Sequence, residues 1–245
     1  MNKVLFFLIL MGLTSCFAQN NIYDLDKINT YMKDYNSNFE KLDTSVLTQL
    51  SSLSKQKEGA LPKQLTFPFK KNNFIIHRMG KDSYYFRQYD KNDNTMEVDF
   101  QVNLNGDIYY KEKIDELFYY NEVYYLNGNI KFKGISSWLG FSIDESYKYN
   151  REGNLVEVVN NDQDYLFNYE EVLKFCNANN IELQFNKMNK LKKITLKDGR
   201  KVWNIDYFNP ETSKIDFYQL DGNTGKIIQK ELNKEKYGIK HFDTN

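Results

Sequence analysis

The stretch YYLNGNIKFKG, Tyr124–Gly134, decides the fold: aromatics, an Asn-Gly pair, then alternating apolar and basic residues. A related run, LNGDIYYKEK (Leu104–Lys113), lies upstream, and REGNLVEVV (Arg151–Val159) lies downstream. Asn-Gly between alternating segments marks a β-hairpin turn. Gly106, Gly128 and Gly153 therefore read as three successive hairpins at a spacing of twenty-odd residues, the period of a stacked supersecondary unit. A hairpin cannot bury its own apolar side, whereas neighbouring hairpins can cover it together.

The clearest strand is Met96–Asn103, apolar at 96, 98, 100 and 102 and polar between. One face is buried and the other wet. A three-residue loop, Leu104-Asn105-Gly106, with Gly106 left-handed, sets Val102 opposite Ile108, Phe100 opposite Tyr110 and Met96 opposite Ile114. A two-residue loop would set Ile108 against Asn103, which a single buried face forbids. The same loop is expected at Leu126-Asn127-Gly128 and Arg151-Glu152-Gly153.

Around this sheet, 245 residues allow one large domain or two small ones, and 41% hydrophobic residues suffice for a packed core. The aromatic share of 16% favours sheet. Lys+Arg and Asp+Glu both total 33, so no overall field attracts nucleic acid or acidic lipid.

Lys3 followed by the apolar run Val4–Leu13 and small residues is an export signal, too short to span a bilayer. Two processing readings compete. LTSC (Leu13–Cys16) resembles the bacterial lipobox, which would leave Cys16 lipidated; CFA (Cys16–Ala18) has the small residues of an ordinary cleavage site, which would leave Gln19 first. In both, Cys176 is the remaining thiol and no internal disulfide forms. The expected residence is periplasmic, anchored to the outer membrane through Cys16, or secreted.

Apolar residues three or four apart from Ile22 to Leu53 predict helices broken near Asn36-Ser37-Asn38, with Asp43 capping the second. KQKEGALPKQ then leads into sheet. NYEEVLKFCNANN (Asn168–Asn180) predicts a helix capped by Asn168, burying Tyr169, Val172, Leu173 and Cys176, and ending at Asn179-Asn180. Two hairpins follow, across Asp198-Gly199 and across Asp221–Gly225. The expected organisation is an export signal over 1–18, a helical segment over 19–62, hairpin repeats over 63–167, a helix-plus-hairpins unit over 168–232 and a tail over 233–245. The fold class is α+β, a meandering antiparallel sheet with helices on one face.

Lys133-Gly134, the tyrosines and the turn glycines of residues 101–160 resemble the MORN-variant repeats of the YwqK-like family, as found in Bacteroidetes; the first copy, YYKEKIDEL, lacks the Lys-Gly. The resemblance implies a flat sheet of hairpins serving as a scaffold or binding surface, antitoxin-like and without catalysis. Leu220-Asp221-Gly222 and Thr224-Gly225-Lys226-Ile227-Ile228 resemble the closing strands of a PepSY domain, over residues 168–231. That resemblance implies an exported binding module associated with restraint of peptidases. The same loop also reads simply as a tight turn.

The chain has two histidines, His77 and His241, not at ligand spacing, and no cysteine pair, so neither a metal site nor a cofactor is expected. GISSW and GFSID lack the second glycine of a nucleophile elbow. Glu170-Glu171 and Asp162/Asp164 read as solvated charge or helix-start acids. The aromatic run Asp115–Tyr125 has rings on both faces, consistent either with burial in two layers or with a recognition face. Tyr119, Tyr120, Tyr124, Tyr125 and Trp138 are the candidate contact residues. The functional expectation is an exported, non-catalytic binder of a protein or peptide, immunity-like or inhibitory. The alternative is an envelope hydrolase of glycans or peptides with carboxylates in a cleft.

Overall fold

The computed structural model describes residues 41–43, 45, 48, 52, 63–70, 72–92, 94–183 and 189–234. Nine strands form one antiparallel meander in sequence order: β1 (Gln64–Phe69), β2 (Asn72–Arg78), β3 (Ser83–Tyr89), β4 (Met96–Asn103), β5 (Ile108–Lys113), β6 (Phe118–Tyr124), β7 (Ile130–Ser137), β8 (Ser142–Tyr149) and β9 (Leu155–Asn160). Helix α1 (Tyr169–Ala178) leads to a second meander of β10 (Lys190–Thr195), β11 (Lys201–Asn209), β12 (Lys214–Asp221) and β13 (Ile227–Lys234). The chain is α+β and mostly β. β13 runs to Lys234, into the segment expected as a tail.

Register follows the alternation. Val102 pairs with Ile108 and Phe100 with Tyr110. The Asn103 N–H donates to the Asp107 carbonyl, so three residues form the loop. The next two copies close identically: Tyr125 N–H to Asn129 O, and Asn150 N–H to Asn154 O, both at 2.9 Å. Two turns outside the repeat reading share this bond pattern, Ser137 to Phe141 and Leu196 to Arg200. Gly128 and Gly153 are left-handed, with φ of 85° and 88°, but Gly106 is not. The second and third copies also share a bulge. Tyr124 pairs with Ile130 and Val123 with Phe132, skipping Lys131; Tyr149 pairs with Leu155 and Lys148 with Glu157, skipping Val156. The first copy, which departs in sequence, runs on without a bulge. Its loop needs no compensating left-handed residue to feed one.

The turns line two rims and are stitched side by side. On one rim the Asn127 and Asn129 amides both donate to Arg151 O at 2.8 Å, and Leu104 N–H donates to Asp82 O. On the other, Trp138 N–H donates to Leu117 O.

The core face carries Phe67, Phe69, Phe74, Phe100, Tyr110, Tyr120 and Tyr124. The sheet is not the flat platform that the repeat resemblance implies. β1 and β5 are four strand spacings apart, about 19 Å in a flat sheet. Yet the Phe69 ring lies 4.8 Å from Tyr110 and 5.6 Å from Tyr124. β2 joins β3 through just two residue pairs, His77–Tyr85 and Arg78–Tyr84, so the β1–β2 hairpin swings off the sheet and folds back over it. Burying these rings drives the curl, each fully buried phenylalanine contributing about 1.5–3 kcal/mol. Lys70, at the hairpin tip, lies over Tyr110 and Tyr120 and pairs with Glu122 at 3.2 Å.

The other half of the core face is covered by α1 and the second sheet. Asn168 Oδ1 accepts the Glu171 N–H, and Tyr169, Val172, Leu173 and Cys176 turn inward, as the helical spacing predicts. Asn180 ends the helix with φ of 54°. Phe118 meets Tyr169 at 5.5 Å and Phe141 meets Trp203 at 5.4 Å, so both sheets share one continuous core. Lys193 on β10 reaches into the first sheet, donating to Ser142 O, Asn161 O and the Asp162 carboxylate.

The expected helices of residues 22–57 lie mostly outside the described residues. Ser45, Thr48 and Ser52 are helical, and Asp43 accepts the Ser45 N–H at 2.9 Å, as a cap does. The buried Leu42 donates its N–H to Gly128 O, tying this segment to the second repeat turn.

Candidate functional site

The aromatic run Asp115–Tyr125, whose sequence leaves both burial in two layers and a recognition face open, is largely interior. Tyr119, Tyr120 and Tyr124 are buried, so they are not open surface. Tyr120 donates to the Glu122 carboxylate inside the core. Tyr124 packs edge-on against Phe69. Tyr119 sits on the opposite face, roofed by the Lys111 ammonium 4.3 Å from its ring. Tyr125 is half-buried: its hydroxyl donates to Tyr149 O, and Lys131 and Arg151 flank its ring. Trp138 donates its indole N–H to Glu116 O, clipping two rim turns together. Burial in two layers thus accounts for most of the run. Cys16, the lipidation candidate, lies outside the described residues. Cys176 is buried, and burial pushes its thiol pKa far up, away from nucleophile chemistry.

The outward face of the first sheet carries a hollow of ≈ 250 Å³ across β4, β5 and β6. Asp99, Gln101, Tyr109, Lys111, Asn121 and Val123 line it. Tyr110 and Glu122 contribute backbone to its floor, because the pleat turns their side chains to the core. Asp99 and Glu122 therefore stand on opposite sides of the sheet and do not converge as an acid–base pair.

Cross-strand pairing sets this geometry. Asp99 faces Arg87 on one side and Lys111 on the other, and Lys111 in turn faces Asn121. Arg87 takes the Asp99 carboxylate at 3.1 Å, and Gln101 donates its amide to the other oxygen at 2.7 Å. The hydrogen bond from Arg87 to Asp99 and the carboxylate's charge hold the Arg87 guanidinium pKa above its ordinary value. The Asn121 amide donates to Tyr119 O and Ser136 Oγ. Lys111 is left with the Tyr119 ring; among the described residues no ion pair or hydrogen bond holds its ammonium. Burial pushes its pKa below the usual lysine range, with Asp99 opposing. The Tyr109 ring stands at the rim, 46% exposed.

The second surface feature is the free edge of the meander. Among the described residues β9 has no partner beyond β8, and Leu155, Val156 and Val158 are 51%, 61% and 46% exposed. Glu157, paired with Lys148 at 2.8 Å, is the strand's lone charge.

Alternation alone marked the β4–β5 residues as a wet face and gave no reason to single out Lys111 or Tyr109. The apolar run Leu155–Val159 was visible, but its place at the end of the sheet was not. Neither a protein-family model nor a curated protein matches the chain.

Proposed function

We propose that this chain is an exported, non-catalytic binding protein of the bacterial envelope that takes an extended segment of a protein or peptide, immunity-like or inhibitory in role. The observation that carries this reading is the β9 edge. An unpaired edge strand presents a row of backbone donors and acceptors, and soluble proteins guard such edges with lysine, proline or a covering element. β9 has apolar side chains at Leu155, Val156 and Val158 on a strand open to solvent on both faces, guarded by a single glutamate. An added strand supplies backbone bonds for affinity and alternate side chains for specificity. The export signal and the resemblance to MORN-variant and PepSY modules support the same class of function.

The test is capture from native envelope extract by the wild-type chain and by a Val156→Lys/Val158→Lys variant. The expected result is a partner retained by the wild type and lost by the variant. A wild type that retains no partner overturns the reading. A partner retained equally by both moves recognition away from β9.

A further inference from the structure

We propose that the hollow across β4–β6 is a seat for the C-terminal residue of a peptide, with Lys111 receiving its carboxylate and Tyr109 and Val123 receiving an apolar side chain. This site is separate from the β9 edge and stands or falls independently of it.

The argument begins with charge. Arg87, Asp99 and Lys111 form a cross-strand row, and one carboxylate stands between two cations. Arg87 and Gln101 occupy both oxygens of Asp99, so the row retains one unspent positive charge, on Lys111. That ammonium lies over the Tyr119 ring rather than against an anion. A partly desolvated ammonium gains more from an incoming carboxylate than a hydrated one does. The lowered pKa of Lys111 agrees, since burial has already removed part of its water shell. Asp99 does not repel the ligand strongly, because its own charge is neutralised within the row.

The walls then choose among carboxylates. At ≈ 250 Å³ the hollow falls just below the range of drug-sized sites and suits one residue-sized group. A sugar acid would need several free hydrogen-bonding groups for its hydroxyls. Here the Gln101 amide is committed to Asp99, and the Asn121 amide to Tyr119 O and Ser136 Oγ. With these amide N–H donors taken, the lining offers a ligand's polar groups the Lys111 ammonium and the amide oxygens of Gln101 and Asn121, while the exposed Tyr109 ring, Val123 and the methylene stem of Lys111 form an apolar seat beside the cation.

The experiment is an NMR titration of the mature chain with N-acetylphenylalanine, its C-terminal amide and glucuronic acid, following the backbone amides of Tyr109, Lys111 and Val123. We expect the free acid to shift these three signals. The amide, which lacks the anion, should bind about ten- to a hundredfold more weakly, the range set by one charge-assisted contact. Glucuronic acid keeps the carboxylate but has no apolar side chain for Tyr109 and Val123, so it too should bind more weakly than the free acid. Lys111→Met, which keeps the stem, should lose the response, whereas Val156→Lys/Val158→Lys should keep it. The proposal is overturned if the acid leaves these signals unmoved, if acid and amide bind alike, or if glucuronic acid binds more tightly. The acid–amide comparison is made on the wild type, so it decides the matter even if Lys111→Met fails to fold.

Discussion

Gly225 separates two demands that a turn glycine can meet. Its φ is 69°, and a Cβ placed there would lie 2.2, 2.5 and 2.6 Å from three carbons of the Phe167 ring. Gly199, in the β10–β11 turn, has φ of 85° and nothing within 4 Å of the same position. Gly199→Ala should therefore cost only the left-handed backbone term, about 1–2 kcal/mol. Gly225→Ala should add the displacement of a packed ring, about 1–3 kcal/mol, for about 2–5 kcal/mol altogether. The added cost has a route into the core: the Trp203 indole donates to Phe167 O at 2.8 Å, and Asn168, the next residue, caps α1. The assay is urea unfolding followed by tryptophan fluorescence for the two single variants, for Phe167→Ala, and for Gly225→Ala in the Phe167→Ala background. With the ring gone, Gly225→Ala should fall to the cost of Gly199→Ala, leaving a coupling of about 1–3 kcal/mol between residues 167 and 225. Equal costs for the two single alanine variants, or no coupling, would refute the ring-contact account. The remaining residues of this loop also have local roles. Asp221 accepts from the Asn223 and Thr224 amides and the Thr224 hydroxyl, and a Cβ at Gly222 would meet Lys201 O at 2.8 Å.

Two further outcomes are expected. Lys193→Met leaves Asp162 and the carbonyls of Ser142 and Asn161 without their shared donor between the sheets. It should cost about 3–5 kcal/mol in thermal or urea unfolding, as loss of one partner from a buried pair does; a cost under about 1 kcal/mol would show that the sheets do not depend on this contact. Cys176 predicts alkaline lability. Its thiol is pushed far up in the folded state and ionises near pH 8.5 when unfolded, so below about pH 8.5 it is protonated in both states and contributes no slope. Above that the unfolded chain holds fewer protons, and stability falls by about 1.4 kcal/mol per pH unit from this group. Tyr165, raised to about 12 by burial, extends the fall above about pH 10. Urea midpoints from pH 7 to 11 should decline less steeply in Cys176→Ala than in the wild type, a comparison in which the lysines and tyrosines cancel. Parallel declines would contradict the burial assigned to this thiol.

The elements legible in sequence are those whose burial is decided by near neighbours. Val102 against Ile108 follows from period two, and the α1 stripe from helical spacing. Features set by distant competition were not legible. In Ile130-Lys131-Phe132-Lys133 the alternation places both lysines in water. The bulge at Lys131 instead turns Phe132 outward and buries Lys133 beside Glu122, its cross-strand partner, with burial lowering the lysine pKa and Glu122 opposing. Nothing local reveals that β1 folds back until Phe69 meets Tyr110. The Lys111 site depends on which of two cross-strand cations takes Asp99, a contest that residue types alone leave tied.

The shared loop and bulge make β7 and β9 equivalent strands, with Ile130 matching Leu155 and Lys133-Gly134 matching Val158-Val159. In the interior copy the lysine and glycine serve the next strand. A Cβ on Gly134 would meet Ser146 Oγ at 2.7 Å, so glycine lets β8 approach. In the last copy no further strand pairs with β9 among the described residues, and the close-approach glycine gives way to valine. Stacked repeats ordinarily end in a unit whose outer side is polar, because a terminal unit must face water alone. This array does the reverse: its interior carries lysine where its end carries valine. An end made more apolar than the middle fits an edge that another strand completes.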